Sequence, residues 1–220
     1  MKKVKVTAVS DLHGNLISIN KTDILLICGD ITPTYLRGVD SQNHWFDNVC
    51  LPYLQNLECK YIILIAGNHD LVYFNRKERI ADNIFYLEDS SISIPLYEFN
   101  IYNGEEIKIY GAPWCRIYGN YPYMIDDELL KEKLGKIPKD YDILMLHDSP
   151  LCVGRGIGSS IAEEAVLESQ PRYVFSGHIH TGEHENKLIG KSIVRNVSLL
   201  DEGYNIAYKP YIFNYDRRNK

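Results

Sequence analysis

The sequence predicts an α+β fold in which two facing mixed sheets carry helices on their outer sides. Three observations predict it. Apolar runs of strand length alternate with helical patterns through most of the chain and strands dominate after them, an order that layers sheets against helices. The run Ile24-Leu25-Leu26-Ile27-Cys28 has no polar interruption before it ends in Gly29-Asp30, as expected of a strand covered on both faces. Four further runs end equally abruptly in carboxylate, amide or imidazole side chains, the pattern of a site at the carboxyl ends of sheet strands.

In order, Lys5-Val6-Thr7-Ala8-Val9-Ser10 is the first strand and leads into Asp11-Leu12-His13. The connection to the second strand is too short for a full-length helix. After Asp30, Thr32-Pro33-Thr34 is a loop. Ser41 then caps a helix whose Trp45, Phe46, Val49, Cys50, Tyr53 and Leu54 form one apolar face. Pro52 lies inside that pattern and should kink or split it. The strand Tyr61-Ile62-Ile63-Leu64-Ile65-Ala66 delivers Gly67-Asn68-His69-Asp70. Residues 73–81 read as a short polar helix, and Ile84-Phe85-Tyr86-Leu87 as a small strand. Tyr97, Phe99 and Ile101 alternate, Asn103-Gly104 turns, and Ile107 and Ile109 alternate back, which predicts a hairpin.

Asp126 caps a helix carrying Leu129, Leu130 and Leu134, with Gly135 as its stop. The strand Ile143-Leu144-Met145-Leu146 runs into His147-Asp148 and then a glycine-rich loop. Ser160 and Glu163 form a capping box for a helix that ends before Pro171. Arg172-Tyr173-Val174-Phe175 leads to Ser176-Gly177-His178-Ile179-His180. Strands are expected at 187–189, 193–197 and 206–213, the last interrupted by Pro210 as an edge strand permits.

The 220 residues form one expected domain, 1–220, large enough for a core without disulfide or zinc staples. A net charge of −5 argues against a surface that grips long nucleic acid by counterion release. Five cysteines with no Cys-x-x-Cys pair fit a reduced compartment, with the thiols as apolar filler. The apolar run after the two N-terminal lysines is too short for a signal peptide, and no stretch approaches a membrane span. The expected location is cytoplasmic, without membrane contact.

Seven residues qualify as metal ligands: Asp11, His13, Asp30, Asn68, His147, His178 and His180. One ion would use about half of them, so the number suggests two ions with a shared ligand. Asp30 is the natural bridge, since a carboxylate has two oxygens. Asp11, His13 and His180 would complete one site, and Asn68, His147 and His178 the other. Each fragment alone is common. Five such fragments, together holding five of the seven histidines, are not.

In order and rough spacing, Asp11-Leu12-His13, Gly29-Asp30, Gly67-Asn68-His69-Asp70, His147 and Gly177-His178-Ile179-His180 resemble the motif set of the calcineurin-like metallophosphoesterase superfamily. Gly111-Ala112-Pro113-Trp114, Leu144 to Pro150 and Gly177 to Gly182 are similar to its small phosphodiesterase subgroup, which includes the metallophosphoesterase-domain proteins. The resemblance implies a four-layer α/β/β/α sandwich of two mixed sheets flanked by helices. It also implies two divalent metal ions, manganese (Mn2+) first, with iron, zinc, nickel or cobalt compatible with mixed nitrogen and oxygen donors. The implied reaction is hydrolysis of a small phosphate ester, a phosphodiester such as a cyclic nucleotide, by a hydroxide held between the metals.

Alternatives are a phosphomonoesterase or pyrophosphohydrolase with the same core, and a metal-binding scaffold without catalysis. His69 resembles the family's general acid, with Asp70 orienting its imidazole. Arg116 and Arg155 are candidates to clamp phosphate, and Trp114 with the tyrosines of 118–123 to stack on a base. Many phosphatases of the superfamily follow Gly-Asp with two residues and Asp-Arg. Here Ile31-Thr32-Pro33-Thr34 follows instead, which counts against a protein serine/threonine phosphatase.

Overall fold

The computed structural model describes residues 3–73, 79–102 and 104–216. In chain order its elements are β1 (Val4–Val9), β2 (Thr22–Cys28), α1 (Val39–Trp45), a π-helical turn (Phe46–Cys50), α2 (Leu51–Gln55), β3 (Cys59–Ile65), β4 (Arg79–Ala81) and β5 (Ile84–Tyr86). There follow β6 (Ser90–Pro95), β7 (Glu106–Ala112), β8 (Cys115–Arg116), β9 (Met124–Ile125), α3 (Asp127–Leu134) and β10 (Ile143–Leu146). The last are α4 (Ser160–Ser169), β11 (Tyr173–Ser176), β12 (Lys187–Ile189), β13 (Ser192–Asn196) and β14 (Tyr211–Tyr215).

Two six-stranded sheets result, ordered β14-β1-β2-β3-β5-β4 and β12-β13-β11-β10-β7-β6, each parallel in its centre with antiparallel strands at both edges. The period of two explains how uninterrupted apolar runs fill three layers of core. Ile24, Leu26 and Cys28 of β2 point between the sheets, where they share a core with Ile63, Ile65, Ile109, Met145 and Phe175. The alternate residues Leu25 and Ile27 pack under Phe46, Cys50 and Leu54 of the first helical stretch. Leu144 and Leu146 of β10 pack on the opposite outer side against Leu130, Leu134, Ala162 and Val166. The result is the four-layer α/β/β/α sandwich. Among the described residues no helix is long and apolar enough to cross a membrane.

Local differences from expectation have local causes. Pro52 has no N–H to return to residue 48, and the helix accommodates it with the π turn immediately before α2, where Pro52 sits at the start. The helix begins earlier than expected, capped at Gly38, and the Ser41 hydroxyl donates to the Gly38 carbonyl. The cap of α4 is Ser159, whose hydroxyl accepts from Ala162 N. Glu163 instead accepts from the Cys152 N–H. Asp126 caps α3 as read, accepting from Leu129 N. The polar helix expected at 73–81 is absent from its described part, since 79–81 is β4 and residues 74–78 lie outside the described residues. The hairpin is shifted: β6 rather than 97–101 pairs with β7, and Leu96–Phe99 is a 3-10 turn. Asn103 of the expected turn also lies outside the described residues. The final strand begins only after Pro210.

Candidate metal centre

The seven proposed ligands follow the carboxyl ends of β1, β2, β3, β10 and β11. Asp11, His13, Asp30 and His178 all have left-handed backbone, with φ of 54°, 43°, 53° and 66°. Such strain in residues other than glycine persists where surrounding structure enforces it, and it concentrates at functional sites. Two glycines admit the close approach. A Cβ on Gly67 would lie 2.2 Å from Asp30 Oδ1, and one on Gly177 would lie 2.3 Å from Asp11 Oδ2.

Asp30 Oδ2 is 3.6 Å from His13 Nε2 and 3.5 Å from His147 Nε2, so one oxygen faces both imidazoles. Its Oδ1 accepts the His69 N–H at 2.7 Å. Asp11 Oδ1 is 3.4 Å from His180 Nε2, and both Asp11 oxygens accept the His178 N–H at 3.0 Å. Asn68 Oδ1 is 3.1 Å from His147 Nε2. The outer nitrogens are fixed as well: His147 Nδ1 pairs with the Cys28 carbonyl and His180 Nδ1 with the Asp201 carbonyl, each at 2.9 Å. Backbone carbonyls that hold Nδ1–H leave Nε2 as the ligand atom, the usual outer-shell arrangement at metal-binding histidines.

Donor atoms of Asp11, His13 and His180, and of Asp11, Asp30 and His147, lie within 4.8 Å of one another. The donors are oxygens and imidazole nitrogens, the cradle is buried, and a shared carboxylate lies between the two histidine groups, so these residues fit divalent ions. Cys115, expected as filler, lies with its thiol in a third such group, with His147 and His178. Burial, then the charge of Asp148 and Asp30, pushes that thiol well above its ordinary value.

Burial opposes charging His147, but the Asp30 carboxylate and its hydrogen bond prevail and raise it to about 10. Asp30 is held well below the ordinary carboxylate range; burial opposes this, and His147 and His13 outweigh it. Burial likewise opposes Asp11, which His180 and His147 hold down at about 2. Burial and the charge of His147 lower His178 to about 4. An ion held at His147 would compete with a proton there. Loading with Mn2+ at pH 7 is expected to release at least one proton per chain, with affinity rising as pH rises. Calorimetric titrations in buffers of different ionisation enthalpy measure that release.

The other expected site residues are placed differently. The His69 ring stands 5.0 Å from both His13 and Tyr121, at the cavity's edge. Asp70 is fully buried and turned away from that role: its oxygens accept the N–H groups of Gly67, Thr32 and, at 3.4 Å, Ile31. Arg116 Nη2 donates to the Ile157 and Gly158 carbonyls and to the Tyr118 hydroxyl, and its Nε lies 3.8 Å from Asp148, so the guanidinium ties two loops together. Arg155 pairs with Glu183 at 3.5 Å. Trp114 donates to Asp89 and packs against Tyr123 under Lys133, within the fold. Sequence reading missed Gln42, whose buried amide donates to the His69 and Leu36 carbonyls and accepts from Val72. It also missed Arg37, exposed beside His69 in the same cavity wall.

A four-layer sandwich with Asp, His and Asn side chains gathered at its strand ends defines a protein of the metallophosphoesterase class. The model of the calcineurin-like phosphoesterase family matches residues 4–182, and the chain belongs to that family. It is 30% identical over 197 residues to "Probable rhamnogalacturonate lyase C" of Emericella nidulans, covering 81% of this chain and 17% of that protein. It is 26% identical over 216 residues to human "Metallophosphoesterase domain-containing protein 1", covering 81% of this chain and 61% of the relative. The chain thus spans only part of both relatives. TT1561 of Thermus thermophilus shares the fold at a TM-score of 0.63 and 14% identity, over 97% of this chain and 99% of that one.

Proposed function

We propose that the protein is a metal-dependent hydrolase of a small phosphodiester, and that two divalent ions sit side by side in its cavity. Asp11, His13 and His180 would hold one ion, Asn68, His147 and His178 would hold the other, and Asp30 would be shared. The observation that carries the reading is the single Asp30 oxygen facing His13 and His147 at 3.6 and 3.5 Å. When bound, such a pair supplies an activated water near neutral pH and neutralises charge on the phosphoryl oxygens.

The chain's own contribution is placement and a proton. The His69 backbone is held from both sides, its N–H by Asp30 and its carbonyl by Gln42, so the ring keeps its place at the cavity edge. From there it protonates the oxygen that leaves phosphorus. Manganese-loaded protein is expected to turn over bis(p-nitrophenyl) phosphate, and chelation to stop it. His69→Ala keeps its metal content and loses about 10²- to 10⁴-fold in turnover of poor leaving groups, the range of a positioned general acid. Metal-loaded protein inert on every ester would leave the scaffold alternative standing.

A further inference from the structure

Two cavities open beside the cluster, one at Asn68 and His69 and one at His178 and His180. The larger, about 420 Å³, opens beside Asn68 and His69 and is lined by Arg37, Gln42 and Tyr121. The smaller, about 290 Å³, opens beside His178 and His180 and is lined by Ile157, Glu202 and Tyr204. The His13 ring lies 5.0 Å from His69 on the first side, and 5.4 Å from His180 and 5.1 Å from Tyr204 on the second. Histidines aside, the charge among the described lining residues is positive in the larger cavity, from Arg37, and negative in the smaller, from Glu202. The wall around Arg37 is fixed, because every polar atom of the Gln42 amide is engaged with the backbone.

We infer that the protein selects an unsymmetrical phosphodiester whose leaving arm bears a flat ring and an anionic group, seated in the Arg37 cavity, while an uncharged or cationic retained arm occupies the Glu202 cavity. The inference rests on the hydrolase reading above and adds the direction in which the ester lies. A volume of about 420 Å³ suits a small organic group, within the usual ~300–1,000 Å³ of ligand sites. Tyr121 offers that group a ring face beside His69. The guanidinium offers a planar fork to carboxylate or phosphate. Reversed binding would set the anion against Glu202, and that repulsion rejects the wrong orientation. The bond that breaks is therefore fixed: water oxygen joins phosphorus, the bond from phosphorus to the arm beside His69 opens, and the departing oxygen takes the His69 proton.

Two diesters test this: methyl 4-(carboxymethyl)phenyl phosphate and its carbamoylmethyl analogue, whose phenols are of nearly equal basicity. The metal-loaded protein is expected to prefer the acid by about tenfold in kcat/KM, the size of one charge-assisted contact. Arg37→Met, at an exposed position, brings the ratio to about one. Calorimetry with 4-hydroxyphenylacetate, the leaving product, gives a readout free of turnover: wild type binds it, while Arg37→Met and Tyr121→Ala bind it more weakly. Equal rates on both esters, or a preference that survives Arg37→Met, overturns the inference and leaves the hydrolase reading intact. Failure to cleave either ester while bis(p-nitrophenyl) phosphate is hydrolysed overturns the inference alone, and failure on all three overturns both.

Discussion

Asp30→Asn is expected to lower kcat/KM on bis(p-nitrophenyl) phosphate by about 10³-fold or more, because the metal pair supplies several kcal/mol and each 1.36 kcal/mol is tenfold in rate. The substitution is nearly isosteric. An amide can keep its oxygen on the His69 N–H, where Oδ1 now accepts at 2.7 Å. What it loses is the second oxygen, placing an NH2 group against His13 Nε2 and His147 Nε2. Both imidazoles must offer lone pairs to a cation, and a donor between them with no negative charge removes the shared ligand. His147 also loses the neighbour that outweighs its burial, so its pKa falls. Elemental analysis should find at least one ion fewer per chain than in wild type, with the circular dichroism spectrum unchanged. Retention of full metal content and turnover would refute Asp30 as the bridge.

That cluster was legible because its side chains hang on features the sequence displays without knowledge of the fold. An apolar run read as a strand tells where its carboxyl end is, and Asp11, Asp30, Asn68, His147 and His178 each lie within three residues of such an end. Elements outside the parallel core were less legible, since they rest on ambiguous local periods. Tyr97, Phe99 and Ile101 alternate like a strand, yet Leu96 and Phe99, three apart, are the buried pair, as a 3-10 turn with three residues per turn requires. The true partner of β7 is Ser90–Pro95, whose serines mask the alternation of Ile92 and Ile94. The surroundings of the arginines were illegible for a different reason. Arg116 resembles a free cation in sequence, but the carbonyls that engage it belong to residues 157 and 158, about forty positions away. Arg37 shows no pattern at all, and only the folded wall of the cavity makes it notable.

Asp70→Ala is expected to lower stability by about 2–6 kcal/mol, since it leaves two well-bonded buried backbone N–H groups without their acceptor at about 1–3 kcal/mol each. Gly67 N donates to Oδ2 at 2.9 Å and Thr32 N to Oδ1 at 3.0 Å, with Ile31 N adding a longer contact at 3.4 Å. Alanine leaves these donors facing a void in a site with no exposed surface. For a chain of this size the melting temperature should fall by on the order of 10 °C. Asn retains one acceptor and should lie between the two. The residues so held are the neighbours of Asp30 and Asn68, so the loss also loosens metal binding. That separates two roles for the carboxylate. An acid that merely orients His69 would, once removed, lower turnover at unchanged stability and metal affinity. A brace between two ligand loops lowers all three together. Melting curves and metal titrations of Asp70→Ala and Asp70→Asn, set beside those of His69→Ala, distinguish the two. The hydrogen bonds on Asp70 run wholly to the loops, so the brace is the expected outcome.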